Sequence, residues 1–385
     1  MMTEQRILES ENNYEQLDSY LKNSKHRKLL LVCGESIKYL SIDKYFDSLE
    51  SRLGINVVRF IDFKPNPSYE SVVKGVRLLK EEGCKLIIAV GGGSAIDVAK
   101  CIKLYANMDH AENYLEQVIV RNDIELMALP TTAGTGSEAT RFAVIYYNGE
   151  KQSVSDKSCI PTTVIVDPSV LKTLPEYQKK ATMMDAFCHA TESFWSVNSN
   201  EESQKYAKEA IELVISNFDG YLANTDVGNT RMLKAANLAG KAINITQTTA
   251  GHAMCYKLTS LYGIAHGHAA ALCVSKLFPY MIENMDKCVD IRGKEYLKQS
   301  FAKLAKIYGC DSPEKAAIKF NKILDGLDLE LPKVKDQDYA ILISSVNPVR
   351  LKNNPIKLNV MAIDDLYHQI LLPPIKKNGE YFHES

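Results

Sequence analysis

Over the first 175 or so residues, short and almost wholly apolar runs alternate with longer stretches of helical spacing. KLLLVCG (Lys28 to Gly34) reads as a buried strand, and INVVRFI, after a helical stretch, as a second. YESVVKGVRLLKEEG carries its apolar residues at helical spacing, and KLIIAVGGGSAIDVAKCIKLYA is a strand running into glycines and then a helix. IELMALPTTAGTGSEAT, RFAVIYY and TTVIVDP add further apolar runs divided by turn chemistry. Unalternating strands separated by helices predict a parallel sheet covered on both faces. From about Pro175 the β-branched runs thin out, and Ala, Leu, Lys and Glu recur at helical spacing to about Leu327. Pro-punctuated segments, KNNPIKLN and LLPPIKK, follow. The pattern predicts an α/β domain over residues 1–175 and an all-helical domain over residues 176–385, without repeats or low-complexity tracts.

Composition narrows the function without choosing it. The 385 residues are 45% apolar, ordinary for a chain that buries a real core. Forty-six basic side chains stand against 47 acidic, a net charge of −1, so no electrostatic case exists for nucleic acid or an anionic membrane. The opening MMTEQRILESENNYEQ has no apolar core and reads as neither signal nor transit peptide, and no apolar run approaches a membrane span. The 9 Cys are scattered, with no CxxC pair, as expected of reduced thiols in the cytoplasm.

Half of the 8 His crowd into two segments: His189 in MMDAFCHATES, and His252, His266 and His268 in GHAMCYKLTSLYGIAHGHAAAL. Asp185 and His189 are four apart in a stretch free of Gly and Pro, so on a helix they share one face. A second helix folded against the first could supply His252 and His266. One carboxylate and three imidazoles suit a borderline divalent metal such as Fe²⁺ or Zn²⁺. Each His alone is equally a satisfied core residue; the clustering favours the metal. Cys188 and Cys255 lie within the same segments and are read as packing residues.

Gly91-Gly92-Gly93-Ser94 sits where strand LIIAV ends and helix AIDVAKCI begins, a turn whose backbone N–H groups can approach a pyrophosphate closely. Its spacing is neither GxGxxG nor a phosphate-binding GK[ST] loop, and a tight structural turn explains it equally well. Lys100, two turns into that helix, is either a solvated charge or a ligand group. Thr131, Thr132, Gly134, Thr135, Gly136 and Ser137 form a second small-polar loop after IELMALP. Two such loops after parallel strands belong at the carboxyl edge of the sheet, where α/β proteins bind cofactors.

Taken together and in order, GGGSAIDVAK, PTTAGTGSEAT, the DAFCH pair and the HAM…H pair resemble the iron-containing (group III) alcohol dehydrogenases over nearly the whole chain. The resemblance implies the fold shared with dehydroquinate synthase: an N-terminal dinucleotide-binding α/β domain, an all-α C-terminal metal-binding domain and a cleft between them. It implies NAD(P)-dependent interconversion of an alcohol and an aldehyde at a divalent metal, Fe²⁺ with Zn²⁺ or Mn²⁺ as alternatives, in a homodimer. Its metal ligands map onto Asp185, His189, His252 and His266. Its pyrophosphate loop maps onto Gly92, Gly93 and Ser94 with Asp97, and its nicotinamide-side loop onto Thr131, Thr132 and Thr135; Asn66 joins the cofactor set. Two departures stand out. Many members carry a His four residues after the third ligand, where this chain has Tyr256, so that Tyr256, His268 or water is left to move the proton. NAD-preferring members often place an Asp after the first strand, where this chain has Gly34 followed by Glu35. That change admits NADPH, with Ser36 and Lys38 near the 2′-phosphate.

Within the family, GHAMCYKLTSLYGIAHGHAAALC is most similar to members that reduce phosphonoacetaldehyde to 2-hydroxyethylphosphonate. Arg141, directly after PTTAGTGSEAT, and Lys257, directly after Tyr256, are the cations expected to hold such an anionic aldehyde; Arg350 and Lys352 in NPVRLKNNP are further candidates. Each is equally a solvated surface charge. A general short-chain alcohol or diol dehydrogenase is the alternative within the family. A cyclase resembling dehydroquinate synthase is the alternative outside it, and would need a different ligand set.

Overall fold

The computed structural model describes residues 5–372 and the backbone of residues 376–377 and 380–381; residues 373–375 of LLPPIKK and the first four residues of the chain lie outside the described part. The chain divides into two compact units. One takes the chain up to Lys179 together with Ser216–Asn244, and the other takes Lys180–Ile215 and the chain from Ile245 onward. The single boundary expected near residue 175 is thus displaced to Lys179. The helical segment Ser216–Asn244, assigned from the sequence to the second domain, belongs to the first.

The first unit is α/β. Its elements run β1 (Arg6–Glu9), α1 (Glu11–Asn23), β2 (Lys28–Cys33), α2 (Ser41–Asp47), α3 (Leu49–Leu53), β3 (Asn56–Phe60), α4 (Tyr69–Glu81), β4 (Leu86–Gly91), α5 (Gly93–Tyr105), β5 (Glu125–Pro130), β6 (Phe142–Tyr147), β7 (Glu150–Ser155) and β8 (Thr163–Val166). Six strands form one sheet in the order β1-β8-β5-β4-β2-β3, and every pairing is parallel. The inner strands β2, β4 and β5 are buried along nearly their whole length, which is why they read as unbroken apolar runs. From β2 the chain steps outward to β3, then returns to place β4 on the other side of β2, so the order reverses between β2 and β4. Ligands of open α/β sheets bind beyond the carboxyl ends of the strands at such a reversal.

Two details depart from the sequence pattern. Strand β1 has a single buried residue, Leu8, and therefore no apolar signature. RFAVIYY is no part of the six-stranded sheet; β6 turns back on β7 as an antiparallel hairpin through Asn148 and Gly149, both at positive φ. Asn-Gly is the residue pair that this tight turn favours.

The helices that follow are α6 (Glu176–Trp195), α7 (Glu201–Leu222), α8 (Asp226–Thr246), α9 (Ala250–Tyr262), α10 (His266–Glu283), α11 (Lys294–Ile307), α12 (Pro313–Asp325), α13 (Asp336–Ser344), α14 (Pro348–Leu351) and α15 (Val360–Leu371). The middle of α8 packs into the first unit. Gly240 lies so close to Gly136 that a side chain on Gly136 would stand 2.6 Å from the Cα of Gly240. Gly136 is also left-handed, at φ 57°, so both sterics and backbone demand glycine there. In the second unit α9 stops at Gly263, whose left-handed backbone lets its N–H close on the Thr259 carbonyl at 2.9 Å. The chain then re-enters a helix at His266.

Candidate metal centre and cofactor loops

Asp185 and His189 lie on α6, one turn apart, as their spacing predicts. His252 is in the first turn of α9 and His266 opens α10, so two helices supply these imidazoles where one was expected. All four belong to the helical unit. Asp185, His189 and His252 are buried, and the ligand atoms of these three lie within 4.8 Å of one another. The Nε2 atoms of His189, His252 and His266 stand 3.9, 3.6 and 4.0 Å from one oxygen, Asp185 Oδ1. These separations are long for hydrogen bonds, and close to the roughly 3.4 Å between neighbouring ligands of a tetrahedral ion with bonds near 2.1 Å. Asp185 Oδ1 and His252 Nε2 are buried and have no hydrogen-bond partner among the described residues. Leaving a carboxylate oxygen and an imidazole nitrogen in that state is costly, unless something else occupies the space they share.

Helix packing sets this geometry. A side chain on Gly267 would come within 2.6 Å of Asp185 Cβ, so glycine there lets α10 lie directly on α6 and brings His266 to the carboxylate. The ring of His189 stacks on that of His252, 4.5 Å apart at 15°. His252 Nδ1 is paired with Glu192 Oε2. Glu192 also accepts from Thr249 Oγ1 at 2.6 Å, and Trp195 Nε1 donates to the same hydroxyl at 3.1 Å. Glu192 was not singled out from the sequence, although it stands three residues after His189 and seven after Asp185 on the same helix face. Burial favours the neutral form of both partners. Yet burial is outweighed at Asp185 by the imidazoles and at Glu192 by His252, which hold both carboxyls below their usual range. Burial likewise pulls His252 down, but Glu192 and Asp185 raise it to about 9. A carboxylate behind a ligating imidazole fixes its tautomer and aims Nε2 at the ion.

The remaining catalytic candidates are scattered. Tyr256 is half-buried and stacks on His266, 5.5 Å apart at 12°. His268 is 1% exposed, and burial alone lowers it to about 4, so it sits in the core as a neutral imidazole. Lys257, five residues along α9 from His252, points roughly 140° around the helix from it. Arg141 is in the other unit. Its backbone N–H donates to Asn244 Oδ1 at 2.9 Å, its guanidinium bonds the Asn244 carbonyl near the end of α8, and it lies 4.7 Å over the Phe142 ring. Cys188 is buried; the thiol of Cys255 faces the His252 carbonyl at 3.3 Å and His266 Nδ1 at 3.5 Å.

The cofactor candidates gather at the carboxyl edge of the sheet in the α/β unit. Gly34 follows β2, Gly91–Gly93 end β4 and open α5, and Thr131 follows β5. The two loops touch: a Cβ on Gly92 would meet Thr132 at 3.3 Å, and one on Gly93 would meet Thr135 at 3.1 Å. Thr131 N donates to the Gly91 carbonyl at 3.0 Å. Ser94 is in the first turn of α5, and Asn66, left-handed at φ 59°, precedes α4. Ser36 and Lys38 are exposed beside Gly34. Asp97 is committed within the protein: Oδ1 accepts from Ser137 Oγ at 2.6 Å and Oδ2 from Val144 N at 3.0 Å. Lys100 is neither a solvated charge nor at the ligand face. It is fully buried, and its Nζ donates to the Thr140 carbonyl at 2.8 Å, the Phe142 carbonyl at 2.7 Å and Ser137 Oγ at 3.1 Å. Lys100 and Asp97 therefore fasten the second loop to the helix that carries the first. Asn237 of α8 adds a tie, donating to Glu138 Oε1 at 3.2 Å.

Known proteins resemble this chain over most of its length. The family described as iron-containing alcohol dehydrogenase matches residues 4–168, and the C-terminal part of the Fe-containing alcohol dehydrogenase family matches residues 179–371. Alcohol dehydrogenase 4 of Saccharomyces cerevisiae is 30% identical over 86% of this chain and 87% of its own length. Phosphonoacetaldehyde reductase of Streptomyces viridochromogenes is 28% identical over 75% of this chain and 77% of its own. Aldehyde-alcohol dehydrogenase 2 of Entamoeba histolytica is 29% identical over 90% of this chain, which spans only 42% of that longer protein. Among solved structures, sulfoacetaldehyde reductase of Bifidobacterium kashiwanohense, in complex with NAD+, superimposes with a TM-score of 0.84 at 23% identity, over 95% of this chain and 97% of its own.

Proposed function

Because this chain belongs to the iron-containing alcohol dehydrogenase family, we propose that it is a divalent-metal and NADPH- or NADH-linked aldehyde reductase, and that its substrate is phosphonoacetaldehyde, reduced to 2-hydroxyethylphosphonate. The observation that carries the metal half is the convergence of three imidazoles on one oxygen of Asp185, with that oxygen and His252 Nε2 buried and unpartnered. Asp185, His189, His252 and His266 would hold the ion, and this mixed oxygen and nitrogen donor set fits Fe²⁺, Zn²⁺ or Mn²⁺. When bound, such an ion supplies a Lewis acid that polarises a carbonyl oxygen. The hydride is the cofactor's, and the protein's part is to hold and aim it.

This chain's residues do the rest. The N–H groups of Gly92, Gly93 and Ser94 open a helix whose start favours a pyrophosphate. Thr131, Thr132 and Thr135 offer hydroxyls beside it. Gly34, with no carboxylate, leaves room for a 2′-phosphate, which favours NADPH. Tyr256, which burial raises to about 12, keeps its proton at neutral pH and acts as a hydrogen-bond donor. His268 is sealed in the core, so water delivers the proton that completes the alcohol.

The general short-chain alcohol dehydrogenase stays as the second reading because two of the cations expected to hold an anionic tail are otherwise placed: Arg141 is bonded to Asn244 and Lys257 points away from His252. A panel of phosphonoacetaldehyde, propanal and 3-hydroxypropanal with NADH and NADPH, after reconstitution with each metal, tests the proposal. Reduction that needs metal and prefers phosphonoacetaldehyde supports it. Equal use of all three aldehydes selects the second reading.

A further inference from the structure

The turn that carries Arg350 is pinned against the start of α9, the helix that carries Tyr256. Arg350 Nη1 donates to Gln247 Oε1 at 3.0 Å, and Asn353 Nδ2 donates to the Thr248 carbonyl at 3.1 Å. Val197 N closes on the Asn353 carbonyl at 3.1 Å, and Asn198 Nδ2 on Asn353 Oδ1 at 3.1 Å. Gln247 is held left-handed at φ 57°, a conformation that non-glycine residues rarely adopt, so the amide that aims Arg350 is itself fixed by its surroundings. That amide is neutral and leaves the guanidinium charge uncancelled. Tyr256 is on α9, the helix against which the Arg350 turn packs, and its phenol, raised by burial, feels the Arg350 charge. The Tyr256 ring in turn lies 5.5 Å from that of His266. All of these residues belong to the helical unit.

We propose that Arg350, with the Tyr256 hydroxyl and Thr248, forms the subsite for the terminal oxyanion of the substrate, a phosphonate one carbon from the aldehyde carbon. The inference rests on the aldehyde-reductase function proposed above. From carbonyl oxygen to phosphonate oxygens such a molecule reaches about 4–5 Å by ordinary bond lengths, close to the spacing of the two stacked rings. A forked guanidinium matches the oxygens of a phosphonate better than a lone ammonium does, and a phenol hydroxyl offers a further polar contact.

The test compares kcat/KM for phosphonoacetaldehyde, sulfoacetaldehyde and propanal in metal-loaded wild type, Arg350→Ala and Arg350→Lys. Ethylphosphonate serves as an unreactive mimic of the tail. Arg350→Ala should lower the preference for phosphonoacetaldehyde over propanal roughly 10- to 150-fold, the span set by a charge-assisted hydrogen bond. It should raise the inhibition constant of ethylphosphonate in parallel, and Arg350→Lys should restore part of both. An unchanged ratio in Arg350→Ala, or a loss equal on phosphonoacetaldehyde and propanal, overturns the subsite. Sulfoacetaldehyde outperforming phosphonoacetaldehyde in wild type overturns the phosphonate assignment. A wild type that reduces propanal without preferring either anion overturns the subsite and leaves the dehydrogenase intact, whereas no reduction of any aldehyde with any metal overturns the underlying function.

Discussion

At the scale of single residues, the four candidate ligands and the carboxylate behind them make separable predictions. His252→Ala should abolish tight metal binding, since it removes a ligand and leaves Glu192 buried without its imidazole partner. Glu192→Gln should weaken the metal more mildly, by roughly 10- to 100-fold, because it keeps the ligand but loosens its aim. Metal analysis after dialysis against a graded chelator orders the two, and equal retention in wild type and both variants would refute the site. For the cofactor, Gly34 has φ −82° and ψ 168°, ordinary extended backbone, so Gly34→Asp should fold without strain. The new carboxylate would repel a 2′-phosphate and accept from ribose hydroxyls, shifting the NADH to NADPH ratio of kcat/KM upward by about tenfold or more. An unmoved ratio would mean that Gly34 is not beside the ribose. The four candidate ligands were legible in the sequence as candidates because an i, i+4 pair and a run of His stand out against apolar neighbours. Lys100 was not: nothing local in GGGSAIDVAK shows that its partners, Ser137, Thr140 and Phe142, come from about forty residues away. Arg141 misled for the converse reason, since adjacency to a motif says nothing of where a long side chain turns.

Among the elements, the strand-to-helix turns were readable from glycine placement and the inner strands from their unbroken apolar runs. Strand β1 and the return of α8 were hidden because one buried leucine and one glycine-containing helix carry no periodic signal of where they pack. The contact of α10 with α6 yields a sharp prediction. Gly267→Ala places a methyl 2.6 Å from Asp185 Cβ and 2.8 Å from its backbone nitrogen. Relief requires the two helices to part, at about 1–3 kcal/mol by the usual cost of overpacking. His266 would move from the carboxylate with its helix. The variant should therefore lose metal affinity as well as stability to urea, while Gly263→Ala, whose added methyl meets nothing within 4 Å, should lose stability alone through its left-handed backbone. Metal affinity left intact in Gly267→Ala would show that α10 does not set the position of His266.

For the molecule as a whole, stability should carry the mark of a buried lysine. Lys179, 2% exposed, donates to Asn224 Oδ1 at 2.5 Å and Asn229 Oδ1 at 3.0 Å, and lies 4.2 Å from the Tyr221 ring centroid. Burial pushes it down from 10.5 to about 8. Between about pH 8 and 10.5 the unfolded chain therefore holds more of this proton than the folded one, so its contribution to stability rises with pH across that window, by up to roughly 3 kcal/mol. Urea unfolding at pH 8 and pH 10 should show wild type gaining on Lys179→Met, a difference in which the other titrating groups cancel. A flat difference would mean that Lys179 titrates alike in both states.

The return of Ser216–Asn244 to the α/β unit has a consequence for how such a protein is made and exchanged. The chain passes from one unit to the other three times, inside α6, α7 and α8. On the ribosome the α/β unit stays unfinished until residue 244 has emerged, after a stretch of its neighbour has already been synthesised. Its loop at Gly136 and Glu138 must wait for α8 to arrive. A gene cut once near residue 175 would therefore yield an α/β fragment without Ser216–Asn244 and a helical fragment that carries that segment as a surplus, so recombination must trade these halves together, as one heritable block.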